Sequence, residues 1–295
     1  MSDGCRACGK GPLADHLKVK APDGSQLVAT TTRYGSAPDD IVRCENCGHM
    51  QVAQFPPDAQ LDEAYAEVTE AAYLDQEAGQ RATAARALER IERHVDRGQL
   101  CDLGCWVGFL VSEAERRGWE AWGVEPSAFA SEFARERLGL RVQEATLASA
   151  DLPEGAFDAV VLDDVIEHLP NPGEALERVR ELLSAEGVLH LTLPDAGSRV
   201  ARGLGMRWWS VIPTHVQYFT RHSLAELLTT HGFTVEWVDT APKAFTVRYY
   251  LERLEGYSAP VSSAAVRAAQ RIRVADRLVW PDFRDRMAVV ARRRA

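Results

Sequence analysis

The sequence predicts an α/β protein with a mostly parallel sheet, preceded by a small metal-binding domain. Strand and helix patterns alternate from Gln99 onward, which is typical of a parallel sheet with helices on both faces. Four of the six cysteines lie within the first 47 residues, in two Cys-x-x-Cys pairs. Two successive prolines, Pro56 and Pro57, interrupt regular structure and indicate a boundary between the two regions.

The composition narrows the classes of function. With 46% apolar and 26% charged residues, the 295-residue chain has the composition of a globular protein. A formal net charge of −9 argues against a general nucleic-acid-binding protein, whose binding face would be basic. The polar start MSDGCRACGK predicts no secretory leader, and no apolar run approaches the roughly 20 residues of a membrane helix. We expect a cytoplasmic protein without membrane association, as a monomer or a homodimer.

The chain divides into three predicted segments. Residues 1–56 form the metal-binding domain, and residues 57–98 form a helical connector with a helix over 58–97. Residues 99–295 form the α/β domain. Its seven predicted strands cover 99–103, 120–124, 140–144, 156–165, 187–194, 233–239 and 284–292, and its predicted helices cover 107–117, 127–138, 172–184 and 223–232.

The cysteine pairs have the spacing of a metal site. Cys5 and Cys8 lie in CRACG, and Cys44 and Cys47 lie in CENCG, so four thiolates can converge tetrahedrally on Zn²⁺. The glycine after each second cysteine lets backbone N–H groups turn toward the sulfurs. Disulfides or free buried thiols are the alternatives, and the lack of a predicted leader disfavours disulfides. Four cysteine ligands predict a structural zinc ribbon without an open coordination position.

A glycine loop follows the first strand of the α/β domain, in the stretch LCDLGCWVGFL. A dinucleotide-binding loop would need glycine where the chain has Trp106 and Phe109. A loop for S-adenosylmethionine needs an acid at 102 and glycine at 104, 106 and 108, and only Trp106 departs from that pattern. Five blocks of sequence together resemble the class I S-adenosylmethionine-dependent methyltransferases, in the family's order and spacing: CDLGCWVG, GVEPS, FDAVVLDDVIEHLPNP, GVLHLTLP and HGF.

This resemblance covers roughly residues 60–240 and the last strand, and it implies a seven-stranded Rossmann-like methyltransferase sheet. Asp102 suits the cationic sulfonium and ammonium groups, and Glu125 can accept hydrogen bonds from both ribose hydroxyls. Trp106 is tolerable if its side chain covers the methionyl end. Asp102 could instead cap a helix, and Tyr65 and Tyr73 could simply pack. The cofactor contacts that we expect are Asp102, Gly104, Cys105, Trp106, Gly108, Glu125, Pro126, Thr146, Leu147, Asp163, Asp164 and Tyr73.

A long aromatic loop, at about 196–222, follows the fifth strand and contains RWWSVIPTHVQYFTRHS. Ligands of open α/β sheets bind at the carboxyl ends of the strands, where this loop lies. His215 is the predicted catalytic base, unless it is simply bonded into the loop, and His168 competes for this role unless it fixes the turn after the fourth strand. The expected wall for the acceptor consists of Trp208, Trp209, Tyr218 and Phe219.

A narrower resemblance suggests the substrate. The zinc ribbon, the paired tyrosines and the His-x-x-Tyr pattern of His215 and Tyr218 are similar to antibiotic-pathway deoxysugar C-methyltransferases. Those enzymes have a glutamate where this chain has Thr214, and a further C-terminal domain for which 295 residues leave no room. We expect methyl transfer to a small-molecule acceptor in natural-product or sugar biosynthesis, to oxygen first and to carbon or nitrogen next.

Three other functions stay open. An rRNA methyltransferase is disfavoured because residues 1–56 carry no net charge and the whole chain carries −9. A non-catalytic zinc-ribbon interaction protein has Trp106 as its only support. An enzyme that uses the sulfonium cofactor without transferring its methyl group is the third, and the sequence does not exclude it.

Overall fold

The computed structural model describes residues 4–19, 34–57, 60–61 and 71–294. Its first three strands, β1 (Leu13–Leu17), β2 (Ile41–Cys44) and β3 (Met50–Val52), form antiparallel pairs around the two cysteine knuckles. The later strands are β4 (Gln99–Leu103), β5 (Glu120–Glu125), β6 (Val142–Glu144), β7 (Phe157–Asp163), β8 (Leu183–Pro194), β9 (Gln217–Tyr218), β10 (Phe233–Thr240), β11 (Phe245–Thr246), β12 (Leu278–Val279) and β13 (Arg286–Arg293).

The predicted seven-stranded sheet is confirmed. Its strand order is β10-β13-β8-β7-β4-β5-β6, and β13 is antiparallel to both of its neighbours. The central strands β4, β7 and β8 are buried on both faces, as their nearly continuous apolar runs predict. The chain turns back between β4 and β7, so the sheet has a topological switch point where ligands of such sheets bind.

The helices cover the faces of the sheet. They are α1 (Glu77–Ile91), α2 (Phe109–Arg116), α3 (Ala128–Glu132), α4 (Pro172–Leu182), α5 (Arg199–Leu204), α6 (Arg221–Thr230), α7 (Val247–Glu252) and α8 (Ala259–Arg271). The helix α4 begins with a proline at its first turn and buries Leu176, Val179 and Leu182. None of the helices in the described part of the chain is long and apolar enough to span a bilayer.

Two parts of the chain differ from the prediction. Of the expected helix over 58–97, residues 58–59 and 62–70 lie outside the described residues and residues 60–61 are helical; the rest is a 3₁₀ segment over Ala71–Gln76 followed by α1, which ends at Ile91. Residues 241–284, for which no elements were predicted between the last two strands of the sheet, form β11, β12, α7 and α8. The two strands have only two residues each, too few for an alternating pattern to be recognised in the sequence.

The N-terminal sheet continues into the α/β domain. Strand β9, which lies in the aromatic loop, pairs antiparallel with β3 through Met50↔Tyr218 and Gln51↔Gln217. A single apolar cluster contains Ile41 and Val52 from the N-terminal sheet, together with Trp208, Val216 and Tyr218 from the loop. The small domain therefore packs directly against the loop that follows the fifth strand of the sheet.

Candidate functional site

The loop between β4 and α2 carries the glycine pattern at the carboxyl edge of the sheet. Gly104 and Gly108 both adopt the left-handed conformation, with φ of +81° and +80°. A Cβ atom at Gly104 would come within 2.6 Å of Val165 Cγ2, and one at Gly108 within 2.6 Å of Leu140 Cδ1. Both positions therefore need glycine for space as well as for backbone conformation.

Trp106, between these glycines, is also left-handed, with φ of +49°. This conformation costs a side-chain-bearing residue about 1–2 kcal/mol. The backbone N–H of Trp106 donates to Glu125 Oε2 at 2.8 Å, and the indole packs 6.4 Å from the Phe129 ring, centroid to centroid. The hydrogen bond and the apolar packing offset the cost, so tryptophan is accommodated where glycine would be unstrained.

Three carboxylates face the same cavity from the ends of β4, β5 and β7: Asp102, Glu125 and Asp163. Burial raises the pKa of Asp102 well above its usual range, and the charges of Asp163 and Glu125 raise it further. Burial also raises the pKa of Glu125, although hydrogen bonds from the backbone of Ser127 and Trp106 oppose this shift. A cationic ligand relieves the repulsion between these carboxylates, so the residues fit a sulfonium and an ammonium group.

The other expected cofactor contacts lie nearby. Thr146 begins a tight turn, in which its Oγ1 accepts a hydrogen bond from Ser149 N at 3.3 Å. The side chain of Tyr73 and the whole of Tyr65 lie outside the described residues. All the remaining expected contacts except Gly108 line the cavity, the further ones being Gly104, Cys105, Trp106, Pro126, Thr146, Leu147 and Asp164.

The neighbouring acids Asp163 and Asp164 have different environments. Asp163 Oδ1 accepts a hydrogen bond from Nδ1 of the fully buried His190 at 3.0 Å. Asp164, which is left-handed with φ of +57°, forms ion pairs with Lys243 and Arg286. Burial would raise the pKa of Asp164, but these two cations hold it well below its usual range. Asp164 therefore anchors the C-terminal segment to the edge of the sheet.

The two expected catalytic histidines lie together. The rings of His168 and His215 are 4.5 Å apart, centroid to centroid, and both residues line the cavity. His168 Nδ1 donates to Thr214 O at 2.9 Å, and His215 Nδ1 donates to Ser210 O at 2.8 Å. Because Nδ1 carries the hydrogen in each ring, the basic lone pair lies on Nε2. Burial lowers the pKa of both histidines, that of His168 to about 4, which keeps them neutral at pH 7.

A buried glutamate completes this cluster. Glu167 is 2% exposed, and both of its carboxylate oxygens lack a hydrogen-bond partner among the described residues. Burial and the charge of Asp164 raise the pKa of Glu167 to about 8. One ligand atom each of Glu167, His168 and His215 lies within 4.8 Å of the others, so the three groups can share a proton or a cation. Glu167 was not among the predicted site residues, although it directly precedes His168.

Only one of the four residues that were expected to surround the methyl acceptor lines the cavity. Trp209 lines the cavity. Trp208 is buried behind it, with Nε1 donating to Asp285 Oδ2 at 3.1 Å. Tyr218 pairs with the N-terminal sheet, and the fully buried Phe219 belongs to the main core. These three bulky residues therefore position the aromatic loop and do not line the cavity.

Other aromatic residues line the cavity instead. The segment 242–257 contributes side chains that were not predicted, among them a stacked pair, Phe245 and Tyr249, with centroids 4.2 Å apart. Arg253 lies over the Tyr249 ring at 5.2 Å and donates to its hydroxyl at 2.9 Å. The run AFTVRYYLERLEGY could have indicated these cavity residues, because it groups aromatic and basic residues shortly after a predicted strand. The cavity has a volume of about 690 Å³, within the range of small-molecule sites.

The four predicted metal ligands form a second site. Cys5 Sγ lies 3.6 Å from Cys47 Sγ, and Cys8 Sγ lies 3.7 Å from Cys44 Sγ. Four sulfurs at about 2.3 Å from one tetrahedral ion would be about 3.8 Å apart, so the cluster fits a metal ion. All six cysteines lie in the described part of the chain and are free thiols. Gly9 and Gly48, the glycines after each pair, have φ of +64° and +72°, which agrees with the expected knuckle turns.

Comparison with known proteins identifies the family. A family model described as "Methyltransferase domain" matches residues 76–238, which is more than half of the chain. The chain belongs to this methyltransferase family. The matched residues include the glycine loop, Glu125, His168 and His215.

Several known proteins are similar to parts of this chain. Ubiquinone biosynthesis O-methyltransferases from Alkalilimnicola ehrlichii and Caulobacter vibrioides are 33% and 34% identical over 97 residues, covering 30% of this chain. The match covers 38% of the length of each of these relatives. An S-adenosylmethionine-dependent methyltransferase from Leishmania major has a similar fold, with a TM-score of 0.52 and 12% identity over 79% of this chain and 81% of that one. A geranyl diphosphate C-methyltransferase from Streptomyces coelicolor aligns with a TM-score of 0.47 and 15% identity over 71% and 76%.

Proposed function

We propose that this methyltransferase transfers the methyl group of S-adenosylmethionine to a hydroxyl oxygen of a small-molecule acceptor. One observation carries the proposal: a single cavity joins the carboxylates Asp102 and Glu125 to the histidines His168 and His215. The carboxylates suit the cationic cofactor. The histidines provide a base beside the part of the cavity that is left for the acceptor. Methyl transfer from sulfur to oxygen needs these two functions side by side.

In this proposal the chain holds the cofactor mainly with backbone and carboxylate groups. Glu125 accepts from the ribose hydroxyls with oxygen lone pairs that its two backbone hydrogen bonds leave available. Asp102 lies nearest the amino-acid end, where its charge is stabilised by the ligand's ammonium. Thr146 and Leu147 flank the adenine. The bound cofactor supplies an electrophilic methyl group, and the residues described here orient it.

His215 is the proposed general base. Its ring is neutral at pH 7 and is oriented by Ser210 O, so Nε2 is ready to accept the proton of an acceptor hydroxyl as the methyl group arrives. His168 lies against it and orients it through ring contact. Most of the rate acceleration comes from holding acceptor oxygen and methyl group in line, because the reaction needs little further chemistry from the protein.

The walls of the cavity favour an apolar or aromatic acceptor. Trp209, Phe245 and Tyr249 supply broad apolar faces, and Lys243 and Arg253 supply cationic groups near them. Transfer to oxygen is further supported by the O-methyltransferase relatives. Transfer to carbon is the second candidate, supported by the His-x-x-Tyr pattern shared with deoxysugar C-methyltransferases. A natural-product or sugar pathway and a cytoplasmic location stay part of the proposal.

The metal at the four-cysteine cluster is proposed to be Zn²⁺ with a structural role. The sulfur spacing fits zinc, and four thiolates leave no coordination position for a substrate. The cluster binds the knuckles of the N-terminal domain together and lies in its buried interior.

The function is tested by methyl transfer itself. The purified chain is incubated with S-adenosylmethionine labelled in its methyl group and with a panel of phenols, hydroxy acids, sugars and nucleotide sugars. We expect label in a phenolic or other hydroxylated acceptor, and loss of transfer in His215→Gln with retained cofactor binding. Label appearing only in RNA, or an absence of transfer when the cofactor binds tightly, would contradict the proposal.

A further inference from the structure

The four-cysteine domain and the histidine pair are connected by hydrogen bonds that the proposed chemistry does not use. His49 follows the second knuckle directly and is fully buried. Its Nε2 donates to Gln217 Oε1 at 2.8 Å. Gln217 Nε2 in turn donates to Leu169 O at 3.1 Å and to Pro170 O at 3.2 Å. The amide of Gln217 thus joins the metal-binding domain to the segment that follows the fourth strand of the large sheet.

The two ends of this connection lie beside the two histidines in sequence. Gln217 is two residues after His215, and Leu169 directly follows His168. Gln217 is 1% exposed, so water does not replace hydrogen bonds that it loses. An amide that donates to two backbone carbonyls and accepts from the buried His49 fixes the distance between the elements that carry these three partners.

Backbone hydrogen bonds form a second connection between the N-terminal sheet and the segment after the fourth strand of the large sheet. Val52 N, in the N-terminal sheet, donates to Val216 O at 3.1 Å, and Val216 N donates to Glu167 O at 3.0 Å. His168 Nδ1 donates to Thr214 O at 2.9 Å. Residues 214–217 are therefore held between the N-terminal sheet on one side and residues 167–170 on the other.

Apolar contacts support the same arrangement. The imidazole of His49 packs 4.6 Å from the Phe219 ring, centroid to centroid. Ile41 and Val52 share an apolar cluster with Val216 and Tyr218. The N-terminal domain therefore supports the outer side of the loop whose inner side carries His215.

We infer that Gln217 is a positioning residue, which couples the four-cysteine site to the two cavity histidines. This inference rests on the proposed function for its meaning, because positioning matters only if the histidines serve methyl transfer. A metal held by the four cysteines would order the knuckle that ends at Gly48. His49 follows this knuckle, and Gln217 connects His49 to residues 169–170 beside the two histidines. The N-terminal domain is then a part of the acceptor site, while the cofactor loop is independent of it.

The test compares two buried glutamines. Gln217→Met keeps the size of the side chain and removes its hydrogen bonds. Gln51→Met is the matched control, since Gln51 lies opposite Gln217 in the sheet, is 3% exposed and accepts from Arg6 N within its own domain. Both variants are assayed for zinc content, for S-adenosylhomocysteine affinity by calorimetry, for amide hydrogen exchange, and for the Cε1–H NMR signals of His168 and His215.

We expect Gln217→Met to keep its zinc. Its affinity for S-adenosylhomocysteine should stay within about twofold of that of the wild type, because the cofactor loop makes none of the hydrogen bonds of Gln217. Its two histidine signals should shift, and amides 210–218 should exchange about tenfold faster. Gln51→Met should leave the histidine signals unchanged, and removing zinc from the wild type by chelation should reproduce the Gln217→Met spectrum.

Unchanged histidine signals and exchange rates in zinc-loaded Gln217→Met would overturn the inference. Equal shifts in both variants would also overturn it, since the effect would then belong to packing of the N-terminal domain in general. Failure of the proposed function is a separate outcome, visible as a wild-type protein that binds no S-adenosylhomocysteine whatever its histidine signals show.

Discussion

The carboxylate of Glu125 accepts a hydrogen bond from the backbone N–H of Trp106 at 2.8 Å, which ties the second strand of the parallel sheet to the glycine loop. Its other oxygen accepts from Ser127 N at 2.9 Å. Glu125→Gln replaces one acceptor oxygen by an N–H donor, so one backbone N–H loses its partner. We expect S-adenosylhomocysteine affinity to fall about 10- to 100-fold, since a buried polar group left unpaired costs about 1–3 kcal/mol. Glu120→Gln, at the opposite and exposed end of the same strand, should bind like the wild type.

Trp106→Gly tests the one residue of the glycine loop that departs from the expected pattern. Glycine relieves the left-handed strain and keeps the N–H that reaches Glu125, while the indole cover is lost. These effects oppose each other, so we expect affinity for S-adenosylhomocysteine to change by less than about tenfold. Calorimetric titration measures it. Binding that appears only in Trp106→Gly would mean that the indole blocks the site.

His215→Gln separates chemistry from cofactor binding. The glutamine amide can still donate to Ser210 O, but it lacks the basic Nε2 lone pair. We expect methyl transfer to fall by about 10²–10⁴-fold, the usual contribution of a general base. S-Adenosylhomocysteine affinity should stay the same. His222→Gln, on the exposed face of α6, is the control and should keep full transfer. A His215→Gln variant as active as the control would remove His215 from the mechanism.

Cys44→Ser tests the metal cluster. A serine hydroxyl is a poor zinc ligand, and the remaining sulfurs hold an incomplete tetrahedron. We expect loss of bound zinc and a lower melting temperature, measured by elemental analysis and by calorimetric unfolding. Cys101→Ser, a buried cysteine in the large sheet outside the cluster, should keep its zinc even if it is destabilised. A zinc content that is equal in the two variants would argue against the four-cysteine site.

Glu92 makes the stability of the folded chain depend on pH in the acidic range. Burial would raise its pKa, but hydrogen bonds from Arg97, Arg117 and Trp119 lower it from the ordinary 4.5 to about 2. Its contribution to stability is therefore fully present above pH 4.5 and is lost as pH falls through 2. We expect Glu92→Gln to lower the unfolding free energy by about 1–2 kcal/mol at pH 7, and by much less near pH 2.

Denaturant unfolding at the two pH values measures this difference. Glu89→Gln, at an exposed position of α1, should change stability by less than about 0.5 kcal/mol at either pH. A destabilisation of Glu92→Gln that is equal at both pH values would show that packing, and not charge, accounts for it.

Much of the fold could be predicted because its signals are local. The buried run at 157–163 and the amphipathic run at 172–182 each indicate one type of element, and the glycines at 104 and 108 mark the loop between β4 and α2. The cysteine spacing likewise predicts a cluster that the structure brings together. Periodicity and fixed spacing are properties of short stretches, which a sequence displays directly.

The acceptor site could be predicted only in part, because it depends on long-range packing. His168 and His215 line the cavity as expected. Trp208, Tyr218 and Phe219 were also expected there, but they pack in apolar clusters away from it. Nothing in the sequence shows which side of a loop is buried. Lys243 and Arg286 meet Asp164 across about 80 and 120 residues of chain, and no local pattern indicates such a meeting. Glu167 lies beside a predicted histidine, yet only the three-dimensional structure shows that its carboxylate is buried without a hydrogen-bond partner among the described residues.

One measurement tests the central claim most directly, that the acidic edge of the sheet binds the cofactor. The zinc-loaded wild type and Glu125→Gln are titrated with S-adenosylhomocysteine in a calorimeter under the same conditions. We predict stoichiometric binding by the wild type and binding at least about tenfold weaker by Glu125→Gln. Equal affinities would place the ligand away from Glu125, and no binding to the wild type would contradict the account of the site.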